Sequence, residues 1–140
     1  MFGVESLSWR LRTPLRFLGL PREILLQLAR PEIANAIARN SDFESDPLAR
    51  FARTIGVVAT VRFGSPAEAA ATLRRLRDVH APISGRGPGG DRYVASDPAL
   101  QFWVLASIVD TTLTIERRYV GALTDEQRDQ YYREQFAVFD

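Results

Sequence analysis

The chain has no cysteine, which excludes disulfides, thiol nucleophiles, iron–sulfur clusters and thiolate zinc sites. It has no lysine either: all 18 basic residues are arginine, the pattern of an arginine-rich, GC-rich coding sequence. Histidine occurs once, at His80. One imidazole is too little for a zinc site, which needs at least three protein ligands. Long apolar runs are missing as well. The longest, Phe102 to Val109, is interrupted by Ser107 and stops at Asp110, far short of the roughly 20 residues that span a bilayer, so no transmembrane segment is expected. Met1 to Ser8 hold no charged stretch followed by an apolar one, so no secretory signal is expected and the chain reads as cytoplasmic. Neither sign of charge dominates. With 18 basic against 17 acidic residues, the net charge of +1 gives the whole chain no footprint for nucleic acid or an anionic membrane.

What is present is an ordinary globular composition, 46% apolar over 140 residues, enough for one domain or part of one. Helix punctuation is dense. Ser65-Pro66-Ala67-Glu68 and Thr124-Asp125-Glu126-Gln127 are capping boxes. Asp46-Pro47 and Asp97-Pro98 pair a cap with a proline at the first helical position, and Leu20-Pro21 and Arg30-Pro31 place proline at further starts. These signals predict helices over 21–29, 31–40, 47–63, 66–80, 97–121 and 124–139, with another over 6–18. Val57 to Phe63 is β-branched enough to suggest a strand. The start at Asp46-Pro47 and the spacing Phe51, Ile55, Val58 predict one continuous helix instead. A loop is expected from Ala81 to Ala95, where Gly85, Gly87, Gly89 and Gly90 cannot continue a helix. The fold class that follows is all-α, a multi-helix bundle. At the C-terminus, Phe136-Ala137-Val138-Phe139-Asp140 is an apolar turn without a glycine cap. It either packs back on the core or belongs to an incomplete domain.

Three groups of residues could carry chemistry. His80 shares a helix face with Ala69, Leu73 and Leu76 and is the last helical residue before the glycine-rich loop. A lone histidine on an apolar stripe is ordinarily a core residue. At this position it could also face a pocket, and one neutral imidazole is what a five-coordinate haem requires of a protein. Arg50, Arg53 and Thr54 form the second group, with Arg50 and Thr54 four apart on one face. The plain reading is two solvated arginines and a threonine bonded back to a carbonyl; a polar patch on an otherwise apolar helix admits a functional one. Third, Gly85-Arg86-Gly87-Pro88-Gly89-Gly90 resembles a phosphate cradle only in composition, since it lacks a lysine and a preceding strand. Glu116-Arg117-Arg118-Tyr119 reads as a solvated helix end, and Tyr93 and Trp103 as core aromatics that could line a pocket.

Taken in order, several strings resemble the family of MpaB-type oxygenases and latex-clearing proteins (rubber oxygenases), which are haem b enzymes. They are Leu25-Leu26-Gln27-Leu28-Ala29-Arg30-Pro31; Ser41-Asp42-Phe43 leading into Asp46-Pro47; Arg50 through Thr54; Phe63-Gly64; Val79-His80 followed by Ile83-Ser84-Gly85; and Tyr93-Val94-Ala95-Ser96-Asp97-Pro98 with Leu100 and Trp103-Val104. The resemblance implies a globin-like helical core, haem b as cofactor, and His80 as the proximal iron ligand. It places Arg50, Arg53 and Thr54 at the polar distal edge of the haem pocket, with dioxygen and an apolar, isoprenoid-like substrate as the small-molecule partners. Arg53 matches a position that carries lysine in rubber oxygenases. Arginine stays protonated and has no free lone pair, so Arg53 is expected to donate hydrogen bonds rather than ligate iron. Positions where members often carry histidine are here Arg30, Asn40 and Leu105. The domain in relatives is longer, so the chain is expected to correspond to its N-terminal part. A haem-binding sensor or carrier without turnover, and a non-catalytic helical interaction module, are the alternative functions.

Overall fold

The computed structural model describes residues 2–41 and 45–137, including every side chain in them except that of Phe51. Of the strings quoted above, Asp42 and Phe43 therefore lie outside the described residues, as do Val138, Phe139 and Asp140. The architecture is all-α, with 71% of the described residues helical. In order the elements are α1 (Leu7–Arg10), a 3-10 helix (Pro14–Gly19), α2 (Leu20–Leu28), α3 (Pro31–Asn40), α4 (Pro47–Phe63), α5 (Pro66–His80), β1 (Ser84–Arg86), β2 (Arg92–Val94), α6 (Pro98–Tyr119) and α7 (Asp125–Phe136).

Local chemistry explains most of the boundaries. Asp46 and Asp97 accept from the N–H groups of Ala49 and Ala99, and Ser65 and Thr124 close reciprocal capping boxes with Glu68 and Gln127. The Val57–Phe63 stretch is helical, as the start signal requires. Two expectations are corrected. The helix expected over 6–18 breaks into α1 and the 3-10 helix, because Pro14 forces the preceding Thr13 into an extended conformation, φ −100° and ψ 151°. The expected loop over 81–95 contains a two-stranded antiparallel hairpin, with Gly85 opposite Tyr93. Gly85 is there to admit the Tyr93 ring: a Cβ would fall 2.6 Å from the Tyr93 hydroxyl.

The core is organised around α6. One end of this helix contributes Leu100 to a cluster with Ile33 and Tyr93, and Trp103 and Val104 pack against it. Further along, Val109 joins Leu7, Leu11 and Tyr131 in a second cluster. Polar side chains fasten α2 to the same helix: Trp103 Nε1 donates to the Leu26 carbonyl at 2.8 Å, Gln27 to Ser107 at 3.1 Å and Arg22 to Thr111 at 2.9 Å. By length and composition α6 would also suffice to cross a membrane, a test that the core helix of a bundle passes equally well.

A buried polar chain ties α1, α4 and α7. Arg62 donates to Gln135 Oε1, Gln135 Nε2 to Ser8 Oγ at 2.8 Å, and Ser8 Oγ to Glu134 at 2.7 Å. Glu134 also accepts the N–H groups of Leu7 at 2.9 Å and Ser8 at 2.7 Å, which are otherwise unsatisfied in the first turn of α1. Each member has a partner, so the chain avoids the cost of a half-satisfied buried network.

Candidate functional site

Helices α4 and α5 are joined by Gly64 and Ser65 alone and pack on each other as a helical hairpin. At roughly 1.5 Å per residue, Arg50 on α4 and His80 on α5 both stand about 20 Å from the bend. Each of the two groups singled out in the sequence therefore stands near the end of its own helix that is remote from the bend.

The hairpin is gripped at its bend. There the Arg62 carbonyl accepts from Phe2 N–H at 2.7 Å, Arg62 reaches Gln135, and Phe63 meets Trp9 edge-to-face with centroids 5.7 Å apart. Its buried residues, among the side chains described, are Val61, Arg62 and Ala69, all near that bend. Towards the far end the stripe opens: Leu73, Leu76 and His80 are half-buried, and Leu48 and Val79 are exposed. Beyond His80 the chain turns back, with Ile83 N–H donating to the His80 carbonyl at 3.0 Å, and the β-hairpin rests on α3 through an Asn35 bond to the Arg86 carbonyl at 2.7 Å.

Burial pushes the His80 pKa below its ordinary 6.5. The C-terminus of α5 would favour the charged imidazolium, but desolvation wins and the ring is neutral at neutral pH, the form that ligates metals. No hydrogen bond to the imidazole is present among the described residues, so its ring nitrogens remain available. Arg50 is half-buried, and burial, followed by the charge of Arg53, lowers its pKa; arginine nonetheless keeps its proton. Arg53 is exposed. Thr54 Oγ1 donates to the Arg50 carbonyl at 3.1 Å, as the plain reading of the sequence expects, which leaves that hydroxyl as an acceptor.

Two cavities lie elsewhere. One of about 280 Å³ sits between the α2–α3 junction and the β-hairpin, lined by Arg30, Glu32, Asp91, Arg92 and Tyr93 among others. The other, about 180 Å³, is an apolar groove between α6 and α7 bounded by Phe102, Leu105, Tyr132 and Phe136. Neither includes His80, Arg50, Arg53 or Thr54. Tyr93 is both core and cavity wall, 5% exposed, with a buried hydroxyl that has no partner among the described residues. Phe136 remains half-exposed and stacks on Phe102 at 6.2 Å. The described residues include no group of three or more histidine, cysteine, aspartate or glutamate side chains placed to hold a metal ion.

This is an all-helical protein whose chemically distinctive histidine stands at the open end of a helical hairpin. The chain belongs to the family described as ER-bound oxygenase mpaB/B′/rubber oxygenase, catalytic domain, whose model matches residues 8–139. Comparison with curated proteins and with solved structures returned no match.

Proposed function

We propose that the chain is a haem b-dependent oxygenase that uses dioxygen to oxidise or cleave an apolar, isoprenoid-like substrate, with His80 as the axial ligand. The observation that carries this reading is the His80 imidazole: half-buried, held neutral by desolvation and without a hydrogen-bond partner among the described residues, at the end of an apolar helix face. The donor set fits a haem better than a bare ion. A porphyrin brings four nitrogens of its own and asks for one imidazole, whereas a bare metal site would need a cluster that the described residues do not offer.

Bound haem would supply the iron chemistry that activates dioxygen. The protein's residues do the rest. His80 would lend a lone pair and anchor the group. Arg50 and Arg53, permanent cations near the start of α4, would hold carboxylates such as haem propionates or donate to bound oxygen. Leu73 and Leu76, half-buried on the same face, would offer apolar contact to the group and to an apolar substrate.

The test is the absorbance spectrum of the protein reconstituted with haem b, beside His80→Ala. The expected result is a sharp Soret band that the substitution abolishes while the helical circular dichroism persists. Equal, weak haem association by both proteins would overturn the assignment. A His80-dependent band without dioxygen consumption on any isoprenoid would leave the sensor or carrier reading in its place.

A further inference from the structure

Among the described residues, neither apolar cluster of the core draws a side chain from α4 or α5. The two helices pack on each other, and no other described helix or strand makes more than a passing contact with either. Burial of apolar surface, the force that fixes α6 among its neighbours, therefore does little to fasten this pair. The chain enters α4 after Asp46 and leaves α5 through Ala81, Pro82 and Ile83. The bend at Gly64-Ser65 is thus a tip, joined to the rest of the molecule through its contacts rather than through the chain.

Those contacts are directional. Arg62, 4% exposed, donates to Gln135, itself 2% exposed and held by its own bond to Ser8 at 2.8 Å. Glu23 on α2 is close enough to feel the Arg62 charge. Phe63 meets the Trp9 ring edge-to-face, and the Arg12 guanidinium stacks 3.8 Å over that ring and 5.5 Å from Phe63. A guanidinium is costly to bury unless its bonds are kept. Arg62 is accordingly stable either in its socket, bonded to Gln135, or out in water, and unstable between the two.

We infer that α4 and α5 form a flap, hinged where the chain enters and leaves it, latched at its tip by Arg62 and Gln135, and moving as one body between a docked and an undocked position. Two discrete arrangements of a packed element are what such a movement needs. The flap carries Arg50 and His80, so undocking changes what stands opposite the candidate site. The inference needs no haem, and its test is run without any, so its failure and that of the haem reading are separate results.

With no native cysteine, spin labels can be placed cleanly. Pulsed electron–electron resonance measures the distance between labels at Ala71→Cys on α5 and Arg117→Cys on α6. A pair within the flap, Ala52→Cys and Ala71→Cys, is the control; all these positions are exposed. With the latch intact the first pair should give one narrow distance. Arg62→Met and Trp9→Ala each remove part of the grip. Each should add a second distance and raise the undocked-to-docked ratio on the order of tenfold or more. The control distance and the helical circular dichroism should not change. A first-pair distribution that neither substitution alters overturns the inference. So does broadening of the control pair, or loss of the helical signal in both variants, since α4 and α5 would then melt rather than move.

Discussion

Glu134 shows how much one side chain can hold. Burial alone would raise its pKa, but bonds from the Ser8 hydroxyl, the Ser8 and Leu7 N–H groups and Gln130 together take it below the ordinary 4.5. A lowered carboxylate pKa means that its contribution to stability is present above 4.5 and is lost as pH falls through the folded value. The α1–α7 contact should therefore loosen in acid before the bulk of the helix does. Glu134→Ala should cost about 2 kcal/mol at neutral pH, since it leaves helix N–H groups unpaired. A urea titration of wild type and variant at neutral and acidic pH checks both points; the gap between them should shrink in acid. His80 acts in the same direction over a higher window. Its lowered pKa means that stability is complete above 6.5 and falls as pH drops from there towards the folded value.

Two glycines in helical segments separate contact from propensity. Gly19, buried where the 3-10 helix meets α6, has no room for a methyl group, with Thr111 and Ile115 side-chain atoms at 2.5 and 2.9 Å from a Cβ. Gly19→Ala should destabilise by about 1–3 kcal/mol through overpacking. Gly56, in mid-α4, has nothing within 4 Å of the added atom, so Gly56→Ala should stabilise by about 0.5–1 kcal/mol through helix propensity and reduced unfolded-state entropy. Thermal midpoints moving in opposite directions would bear this out; a Gly19→Ala protein as stable as wild type would mean that the close approach is not tight. The helix boundaries themselves were legible because their signals are local. Asp46-Pro47, Ser65-Pro66 and Asp97-Pro98 each start a helix where the cap and the proline stand. The β-hairpin was not legible. Gly85 reads as a loop residue, and only the Tyr93 ring across the strand pair gives it another purpose.

Taken whole, the molecule is open. Its accessible surface is 8903 Å², against about 7,300 Å² for a compact monomer of its mass. Much of the excess goes with side chains such as Leu25, Leu48, Phe102 and Phe136, which remain half or more exposed. The α4–α5 hairpin belongs to this open part, because its buried side chains, among those described, are confined to the bend. Amide hydrogen exchange should accordingly be faster along the far halves of α4 and α5 than in the middle of α6, where Ser107, Ile108, Val109, Thr111 and Thr112 are buried in sequence. Haem, if His80 binds it, should slow exchange around Arg50 and His80 more than anywhere else. Uniform protection across the hairpin without haem would contradict this picture.

Local order along the chain settled the helical class and most helix starts, because caps, prolines and periodicity act over a few residues, and it singled out His80 as a candidate because a lone histidine is conspicuous. Family strings led to the oxygenase family that the match over residues 8–139 shows. Tertiary packing settled the rest. The chain from Arg62 through Gln135 and Ser8 to Glu134 joins residues more than a hundred positions apart. Such features depend on which surfaces meet once the apolar faces have been buried, and no window of sequence contains that information.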